Sequence, residues 1–280
     1  MGGRLYGSLA WRVGRLVAFG KSSGVIAAVL CALGAHHAFA SEDDDDDDVV
    51  EYTTSGSQGW SINNPFPGQE LYGGVDAGRQ AWSVYTGTTA PFGDIRFNGL
   101  RLRSAATYGA YRYASRRWDG VRRRTVAFEG QQATADVLIG WQQKFGPWIV
   151  KAFAGGALED HVILPIDVEN RVRGERLGFK VALETWLSLG DWGFVQTETA
   201  WSQPFGAHNA RLRLGYRLHP AWSAGVESAV IGNINYDAGR IGAFARVESN
   251  IGELSVSGGL SGDRDASIGG YGTIGLLWRF

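Results

Sequence analysis

Acid–base, nucleophilic and metal chemistry each need particular side chains at particular spacings, and this chain offers few of them. Beyond the first forty residues there are three histidines, His161, His208 and His219, the last beside Pro220 in a turn signal. None belongs to a His-x-His or His-Glu-x-x-His pattern, and no Gly-x-Ser-x-Gly elbow occurs. A hydrolase on an outer wall built from His208 and a nearby serine is the one catalytic arrangement left open. The Gly-rich piece Ser257-Gly258-Gly259 lacks the strand-to-helix setting of a phosphate loop. The single thiol, Cys31, lies in a leader-like segment, so the mature chain is expected to have no disulfide, Cys-metal site or thiol nucleophile. The expectation is therefore a non-enzyme with no cofactor, no metal and no catalytic residues.

The remaining chemistry is that of charge and aromatic rings. Arg116-Arg117 and Arg122-Arg123-Arg124 form a basic cluster. In a connection outside a membrane it suits lipopolysaccharide phosphates or an acidic polymer better than nucleic acid, which is not expected as a partner.

The elements that carry these groups follow from a repeated period of two. Leu177, Phe179, Val181, Leu183 and Leu187 alternate with Arg176, Gly178, Lys180, Ala182 and Glu184; Ala210, Leu212, Leu214 and Tyr216 alternate with Arg211, Arg213, Gly215 and Arg217. Each is a strand with one apolar and one polar face. Alternation alone fits a soluble sandwich or a transmembrane barrel, so the connections decide. Short turns at Pro91–Asp94, Phe145–Pro147, Leu189–Asp191, His219–Ala221 and Asn250–Gly252 alternate with longer polar connections at 115–124, 159–175, 202–209, 232–239 and 261–269. That rhythm predicts an antiparallel outer-membrane β-barrel of about twelve strands over 70–280, with both termini in the periplasm.

Inside such a barrel the polar face becomes the lumen. Arg101, Arg103, Lys180, Glu184, Arg211, Arg213, Arg217, Glu227, Arg240, Arg246 and Glu248 would point inward, because an Arg or Lys facing mid-bilayer lipid costs roughly 2–4 kcal/mol. Twelve strands lie between a side-chain-filled eight and an aqueous sixteen, so mutual pairing with at most a narrow pore is expected. The arginine excess among these positions would bias a pore toward anions. Trp141, Trp148, Trp186, Trp192, Trp222 and Trp278 sit near the short turns or the terminus and predict one interfacial girdle. Tyr111, Tyr113, Trp118, Trp201, Tyr236 and Tyr271 are candidates for the second.

The N-terminal seventy residues read differently. Arg4, Arg12, Arg15 and Lys21 precede the apolar run Val25–Ala35, and Ala38 and Ala40 provide small residues for cleavage after position 40, a signal peptide. A lipoprotein signal at Cys31, disfavoured by the bulky Leu30, and an uncleaved interfacial anchor are the alternatives. Residues 41–69, with six consecutive aspartates at Asp43–Asp48, read as an acidic, solvated periplasmic linker.

Several stretches are specific enough to compare with a family. Trp82–Gly87 (WSVYTG), Tyr108–Tyr113 (YGAYRY), Glu159–Arg171 (EDHVILPIDVENR) running into Gly178 and Glu184–Trp186, Leu214–Leu218 (LGYRL) and Gly232–Phe244 (GNINYDAGRIGAF) resemble the cellulose biosynthesis protein BcsS family. The resemblance implies an alphaproteobacterial outer-membrane protein that assists cellulose production, export or surface organisation, with cellulose or secretion components as partners besides outer-membrane lipid and lipopolysaccharide. It implies no catalytic residues. Asp160, Asp167, Asn170, Arg171, Tyr236, Asp237 and Arg240 lie inside the family-like stretches and are the candidate external-loop contacts to glucan or partner, or else bonds that close the barrel top. The alternative function is a narrow anion- or saccharide-permeable channel unrelated to cellulose.

Overall fold

A computed structural model describes residues 68–118, 121–263 and 268–280. The leader and most of the acidic segment, together with residues 119–120 and 264–267, lie outside the described residues.

Twelve strands follow one another: β1 (Glu70–Gly78), β2 (Ala81–Pro91), β3 (Gly99–Trp118), β4 (Arg123–Phe145), β5 (Trp148–Leu164), β6 (Gly174–Leu189), β7 (Gly193–Ser202), β8 (His208–His219), β9 (Trp222–Asn233), β10 (Tyr236–Ser249), β11 (Gly252–Asp263) and β12 (Ile268–Arg279). Each pairs antiparallel with its sequence neighbours, and β1 pairs with β12, so the sheet is a closed barrel. The closing seam runs from Glu70 opposite Arg279 to Gly78 opposite Tyr271. Closure leaves no sheet edge with unpaired backbone groups.

The alternation read from the sequence sorts onto the two walls as expected. Phe179, Val181 and Leu183 of β6 stand exposed on the outer surface, as do Leu212 and Leu214 of β8 and Ile274 and Leu276 of β12. Lys151, Arg213, Glu227 and Arg246 are buried inside. An apolar exterior around a charged interior is the inversion that lipid selects.

The connections differ from expectation. Most stretches expected to be long polar loops are paired strand. β3 has 20 residues and β4 has 23, about twice the 9–11 a strand needs to cross a bilayer. The hairpin therefore rises well clear of the apolar band before it turns. Similarly, β9 and β10 run as one hairpin through 234–235. Conversely, the 92–98 connection, on the rim that also carries the termini, is longer than that one. Short and long connections do not alternate strictly; the far rim is raised chiefly by strand extension in β3–β6.

One girdle is also corrected. Trp141, Trp148, Trp192, Trp222 and Trp278 are exposed on the outer wall near the terminal rim, but Trp186 is 4% exposed and faces the lumen. It stacks on Phe194 with centroids 4.0 Å apart. Ile149, Trp186, Phe194 and Phe244 form an apolar plug within the barrel. Gly215 lies beneath the Phe194 ring, where a Cβ would collide with it, so this glycine makes room for the plug. On the far side, Trp82 and Tyr108 meet edge to face on the outer wall, and Phe179 and Trp201 pack at a tilt, 5.2 Å apart, farther round it. Of the expected second girdle, Trp118 and Trp201 are exposed, whereas Tyr111, Tyr113 and Tyr271 hydrogen-bond to His161, Asp167 and Glu227 on the lumen side.

Candidate functional site: a crossed lumen and a latched mouth

The inward charges meet in pairs, of which Arg103–Glu184, Lys180–Asp136 and Lys151–Glu70 skip over intervening strands while the others join neighbours on the same or adjacent strands. Arg103 of β3 donates to Glu184 of β6 at 2.6 Å and to the Tyr72 hydroxyl at 3.0 Å. Lys180 reaches Asp136 at 2.5 Å. Arg213 pairs with Glu227 at 2.8 Å, Arg211 with Glu198 at 3.8 Å, and Lys151 with Glu70 at 3.4 Å. Arg246 bonds Glu248 and lies 3.7 Å from Glu253. Its guanidinium also sits over the rings of Phe194 and Trp186, at 4.3 and 5.0 Å, so the ionic and aromatic layers lock together.

All of the lumen residues expected from the sequence are inside the barrel wall. The acids Glu70, Asp76, Asp136, Glu198 and Glu253 were not singled out as partners. They offset the arginine excess, so the basis for an anion preference is lost. Arg101 and Arg217 behave differently, donating to backbone carbonyls. Arg101 bonds the carbonyls of Ile95 and Phe97, and Gln142 bonds the same two. The 92–98 connection is thereby tied to the terminal end of the barrel, with Ile95 only 2% exposed. Arg217 bonds Gly190 and Gly193.

At the far end the 165–173 connection folds back over the mouth. Asp167 accepts a forked pair of bonds from Arg117 at 2.8 and 2.6 Å, and a third from the Tyr113 hydroxyl at 2.8 Å. The Arg117 guanidinium holds the Asp167 carboxyl below the usual carboxylate range. Asn170 donates to the same Tyr113 hydroxyl at 2.8 Å, and its amide contacts that of Asn235, 2.6 Å away in the β9–β10 turn. Phe205 packs beneath this layer, edge-on to His161 at 4.9 Å and under the Arg176 guanidinium at 4.6 Å. Phe205 is 1% exposed and has a φ of 52° in a short turn of 3-10 helix (Pro204–Gly206), a strained backbone kept where packing over-determines it.

The seven candidate contact residues thus separate. Asp167 and Asn170 come together as the latch. Asp237 sits 3.3 Å from His208, and Tyr236 and Arg171 are exposed on the rim. Two are not external-loop contacts, although the inward position of Arg240 is the one predicted by its place among the lumen charges. Asp160 belongs to β5 and lies on its outer face, opposite Glu175 of β6, because its parity is opposite to that of buried Glu159 and His161. Arg240 belongs to β10 and points inward to Asp76 at 2.6 and 2.9 Å. Phe205 is a mouth residue with no sequence signal, and Arg117 and Tyr113, expected in the basic cluster and the second girdle, serve the latch instead; the odd parity linking both to Arg103 places them on the inner wall.

Between these closures lies a cavity of about 360 Å³, lined by Tyr72, Tyr85, Arg103, Asp136, Glu184 and Glu198 among others. Its walls are largely the paired charges described above. Among the described residues no group of three or more His, Cys, Asp or Glu could hold a metal ion.

Comparison with known proteins gives a family and several similar solved structures. Residues 70–280 match the family model described as cellulose biosynthesis protein BcsS. No curated protein matches the chain. Among solved structures, the KdgM porin in complex with disordered oligogalacturonate is similar at 11% identity, over 75% of this chain and 99% of that one, with a TM-score of 0.44. The translocator domain of the autotransporter NalP from Neisseria meningitidis is similar at 11% identity, over 78% of this chain and 91% of that one, with a TM-score of 0.45.

Proposed function

Since this chain belongs to the cellulose biosynthesis protein BcsS family, we propose that it is a non-catalytic outer-membrane barrel that supports cellulose production or secretion without conducting the polymer. The observation that carries this reading is the Arg103–Glu184 pair lying across the lumen, flanked by an aromatic plug. A glucan chain threading the barrel would have to break charge pairs taken out of water, and leaving one partner buried and unpaired is the costly outcome. The barrel acts through its rims instead. The terminal rim faces the periplasm and the raised far rim faces outward, the disposition in which outer-membrane barrels keep short turns inside. Asn170, Arg171, Tyr236 and Asp237 then surround the external mouth, with Asp167 buried beneath them as the latch, and their amide, carboxylate, guanidinium and aromatic groups suit sugar hydroxyls or a secretion partner.

Deleting the gene under cellulose-producing conditions, then measuring Congo-red-binding polymer at the cell surface, tests this. Loss or mislocation of the polymer, restored by the intact chain, is expected. Unchanged polymer would overturn the cellulose role. The cavity favours a second reading, a narrow saccharide-permeable channel without the anion preference expected from the sequence, which predicts a steady single-channel current blocked by oligosaccharide.

A further inference from the structure

The outer face of the β3–β4 hairpin continues above the apolar band with a different chemistry. Tyr108 of β3 stands at the far girdle, edge to face with Trp82 and bonded to Gln131 at 3.3 Å. Above it, with the same parity on the outer wall, come Arg112, Arg116 and Trp118, and β4 brings Arg123 to the same face opposite Trp118. Arg112 and Arg116 are four residues apart, about 13 Å along a strand. Arg116 pairs with Thr125, which makes Arg123 its diagonal neighbour, roughly 7–8 Å away between Cα atoms. Two guanidinium forks at that spacing can straddle one phosphate.

These charges are poorly neutralised by the protein. Arg112 meets Glu129 at 3.1 Å, but both side chains are more than two-thirds exposed, and such a pair contributes little and exchanges readily. Neither Arg116 nor Arg123 has an ion-pair partner among the described residues. The arginines turn away from the mouth and rise directly from an aromatic girdle, so they stand in the headgroup layer beside the barrel.

We propose that this face docks the phosphates of a lipopolysaccharide-type glycolipid in the outer leaflet. Arg112 lies nearest the acyl boundary, Arg116 and Arg123 grip a phosphate farther out, and Trp118 packs on the saccharide. A glycolipid is favoured over a soluble acidic polymer because the stripe begins at the membrane surface. The proposal is independent of the cellulose role and rests on the far rim facing outward.

The test uses the full barrel, delipidated in detergent, and its thermal unfolding on addition of bisphosphorylated lipid A. A rise in Tm is expected with the phosphorylated lipid and not with the dephosphorylated one. The R112Q/R116Q/R123Q variant should bind at least about tenfold more weakly, as expected when several charge-assisted bonds are lost. E129Q, which frees Arg112, should bind as well or better. Equal stabilisation by dephosphorylated lipid A, or full retention by the triple variant, would overturn the proposal. So would an equal shift with phosphatidylglycerol vesicles or with inorganic phosphate alone. The three exposed glutamines leave the buried lumen intact, and unchanged Tm without lipid would show that the variant folds.

Discussion

Arg240 on β10 and Asp76 on β1 form a two-pronged ion pair, 2.6 and 2.9 Å long, that reaches past the two intervening strands β11 and β12. Thr273 of β12 adds a third bond to the same carboxylate at 2.8 Å. The arrangement fastens the closing seam from within: β1 can leave β12 only if the pair opens. It also explains why Arg240 is no loop contact. Buried Arg246 lies six positions farther along the same strand, an even spacing that puts both on the inner wall.

Breaking one half of that pair should therefore loosen the seam. Asp76→Asn keeps shape but removes charge, leaving a mostly buried guanidinium with weaker bonds; a loss of roughly 1–3 kcal/mol is expected. The matched R240M/D76L variant should recover part of that loss, because removing both charges avoids the unpaired one. Thermal unfolding followed by the shift from folded to unfolded mobility in gel electrophoresis would read both effects. Equal destabilisation by the single and double changes would contradict a coupled pair.

Trp186 offers a second contrast with its neighbours. In bilayers made with brominated lipids, fluorescence from Trp141, Trp148, Trp192, Trp222 and Trp278 should be quenched, while a variant retaining only Trp186 should keep its emission. Truncating Trp186 to Ala removes the stack on Phe194 and should cost about 3–5 kcal/mol, the range for a large buried aromatic. Strong quenching of Trp186 would place it on the lipid side.

The wall assignment was legible because lipid and lumen impose opposite polarity at period two, as Leu212 and Leu214 against Arg211 and Arg213 display. Strand ends were not, because the contrast disappears above the membrane. At Arg116, Arg123 and Thr125 the outer face is polar and exposed while the inner face carries Arg117 of the latch, so the pairing continues without an apolar signature and reads as loop. Nearness to a turn misled at Trp186; its parity with Glu184, two residues earlier, was the better guide. The latch could be recognised only in part. Asp167 and Asn170 stood out by type, but Arg117 and Tyr113 come from a strand some fifty residues away, and no local pattern links them.

The crossed lumen makes a statement about current. In planar bilayers the intact barrel should remain silent, and replacing Arg103 and Glu184 together with serine should remove the central bridge and yield discrete openings. Single replacement of Glu184 is less informative, since Tyr72 and the remaining acids still hold Arg103. A steady current from the unaltered protein would favour the channel reading over the accessory one.

The mouth latch should respond to acid only at low pH. Asp167 is held below the ordinary carboxylate range, first by the hydrogen-bonded Arg117 guanidinium and further by the Tyr113 hydroxyl. A carboxyl depressed in the folded state contributes stability above its unfolded value, about 3.9, and loses it as pH falls through the lower folded value. Amide hydrogen exchange across 166–173, corrected for intrinsic rates, should then stay protected from pH 8 down to about 5 and increase only below about 4. Asp167→Asn should expose the segment already at pH 7, because the neutral amide cannot match the forked ionic bond. Opening centred near pH 6 would assign the latch to a different group.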